Sequence, residues 1–284
     1  MAVPLYLEHK KKEVLRIEDY ITSNEGVVYE VSDRIRSGGN AVVHRCVDAG
    51  NGNEYAIKFN LSFHPNRIER FQQEIEIVKQ LNHEQIIKYI DSGLVTGVST
   101  RRGVANKDIL FLVMPLAETN LSEFIKINRG RIPHAAYIGQ FKGLCEALSE
   151  LHGIAIHRDI KPENVLLIGE TWLISDLGLC KIVPGIDDGI TFHGEPIGPK
   201  YWMSPEALNN ALGNPDEINI KSDIYQLASI FWYVVTGRYP QGIVTKNDWT
   251  GPDYLFEPIY KSLHHDPSIR LNDAQELLKA LEEA

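Results

Sequence analysis

The chain has 284 residues, 43% hydrophobic and 24% charged, a composition that indicates a globular protein and excludes a disordered or fibrous one. Its net charge of −9 argues against the broad basic surface that nucleic-acid or anionic-membrane binding requires. The three cysteines are odd in number and lack paired metal-ligand spacing, so we expect a reducing compartment and a cytoplasmic protein.

The chain up to about residue 114 has a strand-rich pattern. Residues 1–27 are polar and weakly helical, and we interpret them as an extension ahead of the main fold. From 28 to 59, β-branched runs alternate with the turns SGGN and AGNGNE. A helix is predicted over 66–81, because apolar residues recur there at three- and four-residue steps. A polar loop at 92–107 then leads into the strand DILFLVM at 108–114.

Helical periodicity dominates the rest of the chain. The predicted helices are 121–128, 133–152, 205–211, 221–236 and 272–283. The longest apolar run, LASIFWYVV at 227–235, is far shorter than the ~18–20 residues of a membrane span, so we expect a buried core helix and no span. The predicted fold is α+β, with four segments: an N-terminal extension 1–27, a small lobe 28–114, a connector 115–120 and a large lobe 121–284.

The stretch HRDIKPENVLLIGETWLISDLG, at 157–178, holds the densest set of chemically capable residues. Two short apolar strands are separated there by the dipeptide Gly-Glu, a link suited to a tight hairpin. Counting back from that turn pairs Asn164 with Ser175, so Asn164 and Asp176 emerge at the same end of the hairpin. Their oxygen atoms suit a hard cation. The register alone therefore predicts a magnesium site formed by these two residues.

Two further groups lie at the same end of the hairpin. Asp159 precedes Asn164 by five residues, and Lys161 lies between them. An aspartate beside a metal–phosphate site can accept the proton of an attacking hydroxyl, and a nearby lysine can neutralise charge on a phosphoryl group. A single aspartate or lysine in a loop is usually just solvated. The presence of Asp159, Lys161, Asn164 and Asp176 in this order argues against the interpretation that each is merely solvated.

HRDIKPEN resembles the catalytic loop of protein kinases, and DLG resembles their metal-binding Asp-Phe-Gly with Leu177 in place of Phe. The resemblance implies a bilobal kinase-like fold, with a small antiparallel-sheet lobe carrying one main helix and a larger helical lobe. It implies Asp159 as catalytic base and Lys161 as phosphate contact. It also implies Asn164 and Asp176 as magnesium ligands, ATP and Mg²⁺ as cofactors and a protein as substrate. Lys161 favours the Ser/Thr class, because tyrosine kinases usually lack a lysine there.

The resemblance extends through the small lobe. EYAIKF at 54–59 resembles the strand that supplies the ATP-anchoring lysine, Lys58. Glu74 would be its partner, since it lies at the edge of the apolar face of the predicted helix, where an inward ion pair is feasible. The resemblance makes Lys58 and Glu74 part of the catalytic set. The residues that it places around the nucleotide are Ile35, Gly38, Gly39, Val43, Ala56, Lys58, Met114, Pro115, Ala117, Asn164 and Asp176.

The glycine turn RIRSGGNAVV would cover the phosphates. Gly38 holds the middle position of a three-glycine pattern, where the backbone must approach the phosphates most closely. Arg36 and Ala41 replace the other two glycines, so we expect weaker or less rigid nucleotide closure without loss of binding. Near adenine, Pro115 and Ala117 would offer a backbone C=O and N–H, so the missing proline N–H is no obstacle.

Three residues of the large lobe have expected structural roles. YWMSPEAL resembles the Ala-Pro-Glu element that closes the kinase activation segment, and its Glu206 would pair with Arg270. Asp223, in KSDIYQLAS, resembles the helix residue that anchors the backbone of the catalytic loop.

The activation segment contains two features that bear on regulation and acceptor type. Thr191 is the best candidate phosphosite, with Arg158 as one partner of its phosphate. A transient homodimer would allow autophosphorylation at this residue. The alternative is that Thr191 is an unmodified, solvated loop residue. Pro199 stands where Ser/Thr kinases usually carry a threonine. Pro199 and Trp202 together are closer to the tyrosine-kinase pattern, whereas Lys161 favours the Ser/Thr class. Dual specificity is therefore an alternative to Ser/Thr specificity.

Two other classes of protein are alternatives to an active protein kinase. A pseudokinase or scaffold would bind nucleotide and partners without transfer, and loss of Lys58, Asp159, Asn164 or Asp176 would favour it; all four are present. A small-molecule kinase of the aminoglycoside phosphotransferase type usually lacks both the lysine after the catalytic aspartate and the Ala-Pro-Glu element. This chain has that lysine and the sequence SPE.

Overall fold

The computed structural model describes residues 4–9, 13–38, 40–128, 131–182 and 201–283. The chain divides into two compact units, Met1–Lys79 with Ile87–Ala117 and Gln80–Ile86 with Glu118–Ala284. The first, the strand-rich unit, is built around an antiparallel sheet, and the second, the helical unit, mainly from helices. The predicted α+β fold is thereby confirmed. Ala117, where the first unit ends, falls inside the predicted connector 115–120.

Eight strands and one helix form the described part of the strand-rich unit. Their bounds are β1 Pro4–His9, β2 Glu13–Glu18, β3 Tyr20–Thr22, β4 Val28–Ser37, β5 Ala41–Asp48, β6 Glu54–Asn60, α1 Pro65–Lys79, β7 Asp91–Ser99 and β8 Lys107–Pro115. The strands pair in the order β1-β2-β7-β8-β6-β5-β4-β3. Their inward side chains form one apolar core, in which Ile57, Phe59 and Phe111 are fully buried. The α1 helix packs Phe71 and Ile75 against Leu112 of β8.

The weakly helical character expected for residues 1–27 is wrong. The first three strands lie in this segment, and β2 pairs with β7. Leu7, Leu15, Ile17 and Ile21 are buried in the same core as the later strands. The alternation that marks a strand is present, but the charged run EHKKKE, from the end of β1 to the start of β2, obscures it.

Strand β7 covers much of the predicted polar loop 92–107. Glycines make this segment resemble a loop, but they meet a packing requirement in the sheet. A β carbon at Gly93 would lie 2.5 Å from the Phe111 ring, and one at Gly97 would lie 2.6 Å from the Ile109 side chain. Glycine is needed at both positions because each faces a large buried side chain of β8.

The helical unit contains short strands and six helices in its described part. Their bounds are β9 Thr119–Asn120, α2 Leu121–Ile127, α3 His134–His152, β10 Ala155–Ile156, β11 Val165–Ile168, β12 Thr171–Ile174, β13 Lys181–Ile182, α4 Pro205–Ala211, α5 Ile220–Thr236, α6 Asp253–Ser262 and α7 Ala274–Glu282. Helices α2 to α5 and α7 lie within one or two residues of their predicted ranges. Among the described residues, no helix combines the length and apolarity needed to cross a bilayer.

Helix α6 was not predicted, because Pro258 stands inside it and proline is disfavoured in a helix interior. Leu255 and Ile259, four residues apart, are nevertheless buried on one face. Helix α5 has clearer signals. Asn219 and Ser222 form a reciprocal capping box at its start, and Gly237, with φ of 68°, ends it.

Candidate active site

The loop that follows β10 is held in place by α5. The buried Asp223 carboxylate accepts hydrogen bonds from the backbone N–H of His157 (2.7 Å) and of Arg158 (2.8 Å). Gln226, one turn further along α5, accepts from the N–H of Ile160 at 3.0 Å. Arg158 has φ of 67°, a conformation that costs energy for a non-glycine residue. The bonds to Asp223 offset that cost, and the predicted anchoring by Asp223 is confirmed.

Asp159 contacts both residues with which the sequence grouped it. Its Oδ2 atom accepts from Lys161 Nζ at 2.6 Å and from Asn164 Nδ2 at 2.9 Å. The side chain is largely buried, at 5% exposure. Burial raises the pKa of the Asp159 carboxyl above its ordinary value; the Lys161 charge opposes the rise, and the Asp176 charge adds to it. The result is a fixed carboxylate with increased proton affinity, which suits a general base.

The hairpin of β11 and β12 presents Asn164 and Asp176 at one end, as its register predicted. Val165 pairs with Ile174, and the N–H of Ser175 donates to the Asn164 carbonyl at 2.9 Å. The Asn164 amide nitrogen donates to the backbone and side chain of Asp159, which fixes the amide and leaves its oxygen as the atom available to a cation. Asp176 is exposed and has φ of 61°, another strained backbone position.

These two residues fit Mg²⁺. The donor set is one carboxylate and one amide oxygen, and Mg²⁺ in phosphate-transfer sites is commonly held by one or two side-chain oxygens together with substrate phosphates. The donor chemistry of Asn164 and Asp176 is therefore compatible with the predicted ligand pair, whose role stays a prediction.

A buried ion pair joins α4 to the segment before α7. The two terminal guanidinium nitrogens of Arg270 donate to the Glu206 carboxylate, at 2.7 and 2.8 Å, and Ser222 Oγ donates to it at 2.7 Å. Burial alone would raise the pKa of Glu206, but the Arg270 and Ser222 bonds outweigh it and hold this pKa below its ordinary value. The predicted pair is confirmed, and it cross-links elements of the helical unit.

Lys58 and Glu74 form an ion pair in the strand-rich unit. Lys58 Nζ lies 2.8 Å from Glu74 Oε1 and 3.1 Å from Oε2, and Glu74 is only 1% exposed. Strand pairing fixes the lysine backbone, because Val43 of β5 and Leu112 of β8 lie directly opposite it. The Phe71 ring of α1 lies 5.8 Å from the ammonium group. The predicted pair is present; its role in nucleotide binding stays a prediction.

The other residues expected around the nucleotide differ in burial and in strand pairing. Ala56 is buried and lies opposite Met114 of β8. Ile35 is 48% exposed and lies in a β-bulge between β4 and β5. Within the described residues, a β carbon at Gly38 would meet only the carbonyl oxygen of Ala41, at an ordinary 3.5 Å. The turn itself therefore leaves room for a side chain at Gly38. Gly39, Thr191 and Pro199 lie outside the described residues.

One contact at this ion pair was not found from the sequence. The Tyr89 hydroxyl donates a hydrogen bond to Glu74 Oε1. Tyr89 belongs to no motif and stands 15 residues from Glu74, between α1 and β7. No spacing rule relates two such positions, so only the folded geometry shows the contact.

Comparison with known proteins gives a consistent group. A family model described as the protein kinase domain matches residues 29–280. The chain is 32% identical to the serine/threonine-protein kinase cds1 of Schizosaccharomyces pombe, over 76% of this chain and 46% of that protein. It is 31% identical to a probable serine/threonine-protein kinase PknB of Corynebacterium glutamicum, over 75% and 32%. It is 29% identical to the serine/threonine-protein kinase PknL of Mycobacterium tuberculosis, over 75% and 50%. The chain spans half or less of the length of these relatives.

Proposed function

Since this chain belongs to the protein kinase domain family, we propose that it transfers the γ-phosphoryl group of Mg-ATP to serine and threonine hydroxyls of proteins. The observation that carries the proposal is the contact of Asp159 with both Lys161 and Asn164, beside a hairpin that presents Asp176. Lys161 and the similarity to serine/threonine-protein kinases support the Ser/Thr class.

In the helical unit, the Asp159 carboxylate accepts the proton of the attacking hydroxyl and orients its oxygen. Lys161 places a cation where charge develops on the transferred group. Asn164 and Asp176 would hold Mg²⁺, which when bound supplies further neutralisation of the phosphate charge. Asp223 contributes indirectly, because its bonds to the loop backbone fix where Asp159 stands.

In the strand-rich unit, Lys58 contacts the α- and β-phosphates, and Glu74 fixes the position of its ammonium group. The backbone at Gly38 covers the phosphates. Ala56 and Met114 line the adenine side, where Pro115 and Ala117 offer backbone groups. Each of these contacts follows from the family resemblance together with the strand register described above.

The proposal extends to regulation and compartment. Autophosphorylation at Thr191 through a transient homodimer would be detected by mass-spectrometric mapping of the purified protein. A reducing compartment such as the cytoplasm suits the three cysteines, which are buried and unbonded to one another.

The test of the proposed function is a radiolabelled ATP assay with Mg²⁺ and a broad panel of protein substrates. The intact chain should label serine and threonine. Asp159→Asn should lower the rate by at least about 100-fold, because it removes the general base. Asp253→Asn, at an exposed aspartate of the same unit, is the matched control. An intact chain that binds Mg-ATP but labels nothing would favour the scaffold alternative, and full activity of Asp159→Asn would refute the mechanism.

A further inference from the structure

The Glu74 carboxylate receives hydrogen bonds from Lys58, on β6, and from Tyr89, in the segment between α1 and β7. Lys58 Nζ of β6 contacts both carboxylate oxygens, and the Tyr89 hydroxyl donates to Oε1. The carboxylate is almost completely buried. A buried charge is stabilised only when its lone pairs are satisfied, and the tyrosine hydroxyl supplies one of the donors that this carboxylate needs.

The ring of Tyr89 is fixed independently of its hydroxyl. It packs against the cluster of Phe71, Ile75 and Leu112, which joins α1 to β8. Phe71 and Ile75 lie three residues before and one residue after Glu74 on α1, so the ring contacts the same side of the helix. Tyrosine has few rotatable bonds, whereas Lys58 and Glu74 are long and flexible. The rigid partner of this group of three is therefore Tyr89.

We propose that Tyr89 is a positioning residue for the nucleotide: its hydroxyl holds the Glu74 carboxylate, which in turn holds Lys58 Nζ where the ATP phosphates bind. The inference rests on the proposed function and adds to it a residue outside the kinase motifs. Without the hydroxyl, Glu74 and Lys58 remain paired but sample more rotamers. Part of the ordering then has to occur when ATP binds, which weakens binding.

The variant Tyr89→Phe tests this proposal, because it removes the hydroxyl and keeps the ring in its cluster. We expect KM for ATP to rise about tenfold, the low end for loss of a hydrogen bond to a charged group, with a much smaller change in kcat. Tyr20→Phe is the matched control, because it removes a hydrogen bond to Glu30 at an exposed position of the same unit. Its KM should equal that of the unmodified chain.

A double-mutant cycle separates positioning from a general packing role. In a Glu74→Leu background, which has no side-chain acceptor for the Tyr89 hydroxyl, the added Tyr89→Phe change should raise KM less than about twofold, because the hydroxyl no longer has the carboxylate through which it acts. A tenfold rise that persists in that background overturns the proposal. An unchanged KM for Tyr89→Phe alone also overturns it, and leaves the proposed function intact.

The cycle also distinguishes failure of this inference from failure of the proposed function. If the unmodified chain transfers no phosphate but binds Mg-ATP, the proposed function fails, and calorimetric Kd values for Mg-ATP replace KM in the same four variants. The role of Tyr89 is then supported if Tyr89→Phe raises the Kd for Mg-ATP when Glu74 is present and not when Glu74 is replaced. Equal Kd values for the unmodified chain and Tyr89→Phe overturn it. A chain that binds no Mg-ATP at all overturns both.

Discussion

At Asp159, opposing influences set the proton affinity of one carboxyl group, and burial and Lys161 are the largest of them. Burial raises its pKa, and the Lys161 ammonium group, 2.6 Å away, lowers it. The net pKa is raised, so Asp159 is protonated at a higher pH than an exposed aspartate would be. Because a general base acts only as the carboxylate, the proposed transfer should fall as the pH drops through this raised value.

Replacing Lys161 by methionine should shift that pH dependence. The substitution removes an influence that lowers the Asp159 pKa, so the acid limb of kcat moves to higher pH. The maximum of kcat also falls, because the transferred group loses a nearby cation. The measurement is kcat against pH for the two proteins, with Lys261→Met on the exposed face of α6 as control. An acid limb that stays in place would show that Lys161 does not tune Asp159.

At the scale of the element, helix α3 contains two glycines with opposite surroundings. A β carbon at Gly143 would lie 1.3 Å from Gln85 Oε1, whereas one at Gly139 would meet no described atom within 4 Å. Gln85 is buried and donates to the Trp172 carbonyl at 3.0 Å, so it cannot move aside without losing a hydrogen bond. The close approach of Gln85 to α3 therefore depends on Gly143.

Alanine at these two positions should have opposite effects on stability. Gly143→Ala should lower the free energy of unfolding by about 1–3 kcal/mol, because overpacking outweighs the better helix propensity of alanine. Gly139→Ala should raise it by about 0.5–1 kcal/mol, because only the propensity term applies. Urea unfolding of the two variants provides the comparison. Equal effects of the two substitutions would contradict the packing argument.

The ion pair of Glu206 and Arg270 joins two elements and should make stability depend on pH. The pKa of Glu206 is lowered by folding, so its contribution is present above the unfolded value of about 4.3 and is lost as the pH falls through the lower folded value. Glu206→Gln leaves the Arg270 cation buried without its counter-charge, at a cost of about 3–5 kcal/mol.

Urea unfolding at a series of pH values measures this contribution. The difference between the unmodified chain and Glu206→Gln should be largest near neutral pH and should shrink on acidification. Glu217→Gln, at an exposed carboxylate of the same unit, should show no such difference. A pH-independent gap would mean that the charge of Glu206 does not stabilise the pair.

At the scale of the whole molecule, the folding unit is larger than the matched family domain. The family model begins at residue 29, but β1 to β3 lie before it and bury Leu7, Leu15, Ile17 and Ile21 in the core. Each such side chain stabilises the fold by about 1.5–3 kcal/mol. A chain that starts at residue 28 should therefore unfold at a markedly lower temperature than the full chain.

A pair of neighbouring substitutions tests the same point without truncation. Leu15→Ala should lower the free energy of unfolding by about 2–5 kcal/mol, and Arg16→Ala, at the next and outward position of β2, should change it by less than about 0.5 kcal/mol. Equal, small effects in calorimetry would show that the N-terminal strands are dispensable.

The sequence predicted this molecule best where the information is local. The β11–β12 register follows from a two-residue turn, and it brought Asn164 and Asp176 to one end correctly. Distant pairs were also predicted where a family motif names both partners, as for Glu206 and Arg270. Prediction failed where distant residues outside any motif decide the outcome. Gly93 resembles a loop residue until Phe111 is placed opposite it, and Tyr89 has no recognisable role until Glu74 is beside it. The motif residues were predictable, and the packing that supports them was not.

The bonds from Asp223 to the loop of Asp159 have a consequence for protein synthesis. The two segments are about 65 residues apart in the chain, and the loop emerges from the ribosome first. The strained backbone at Arg158 has no acceptor on α5 until that helix has been made. The geometry proposed for phosphate transfer therefore forms late, and we expect a nascent chain that already contains every motif residue of the loop to lack it.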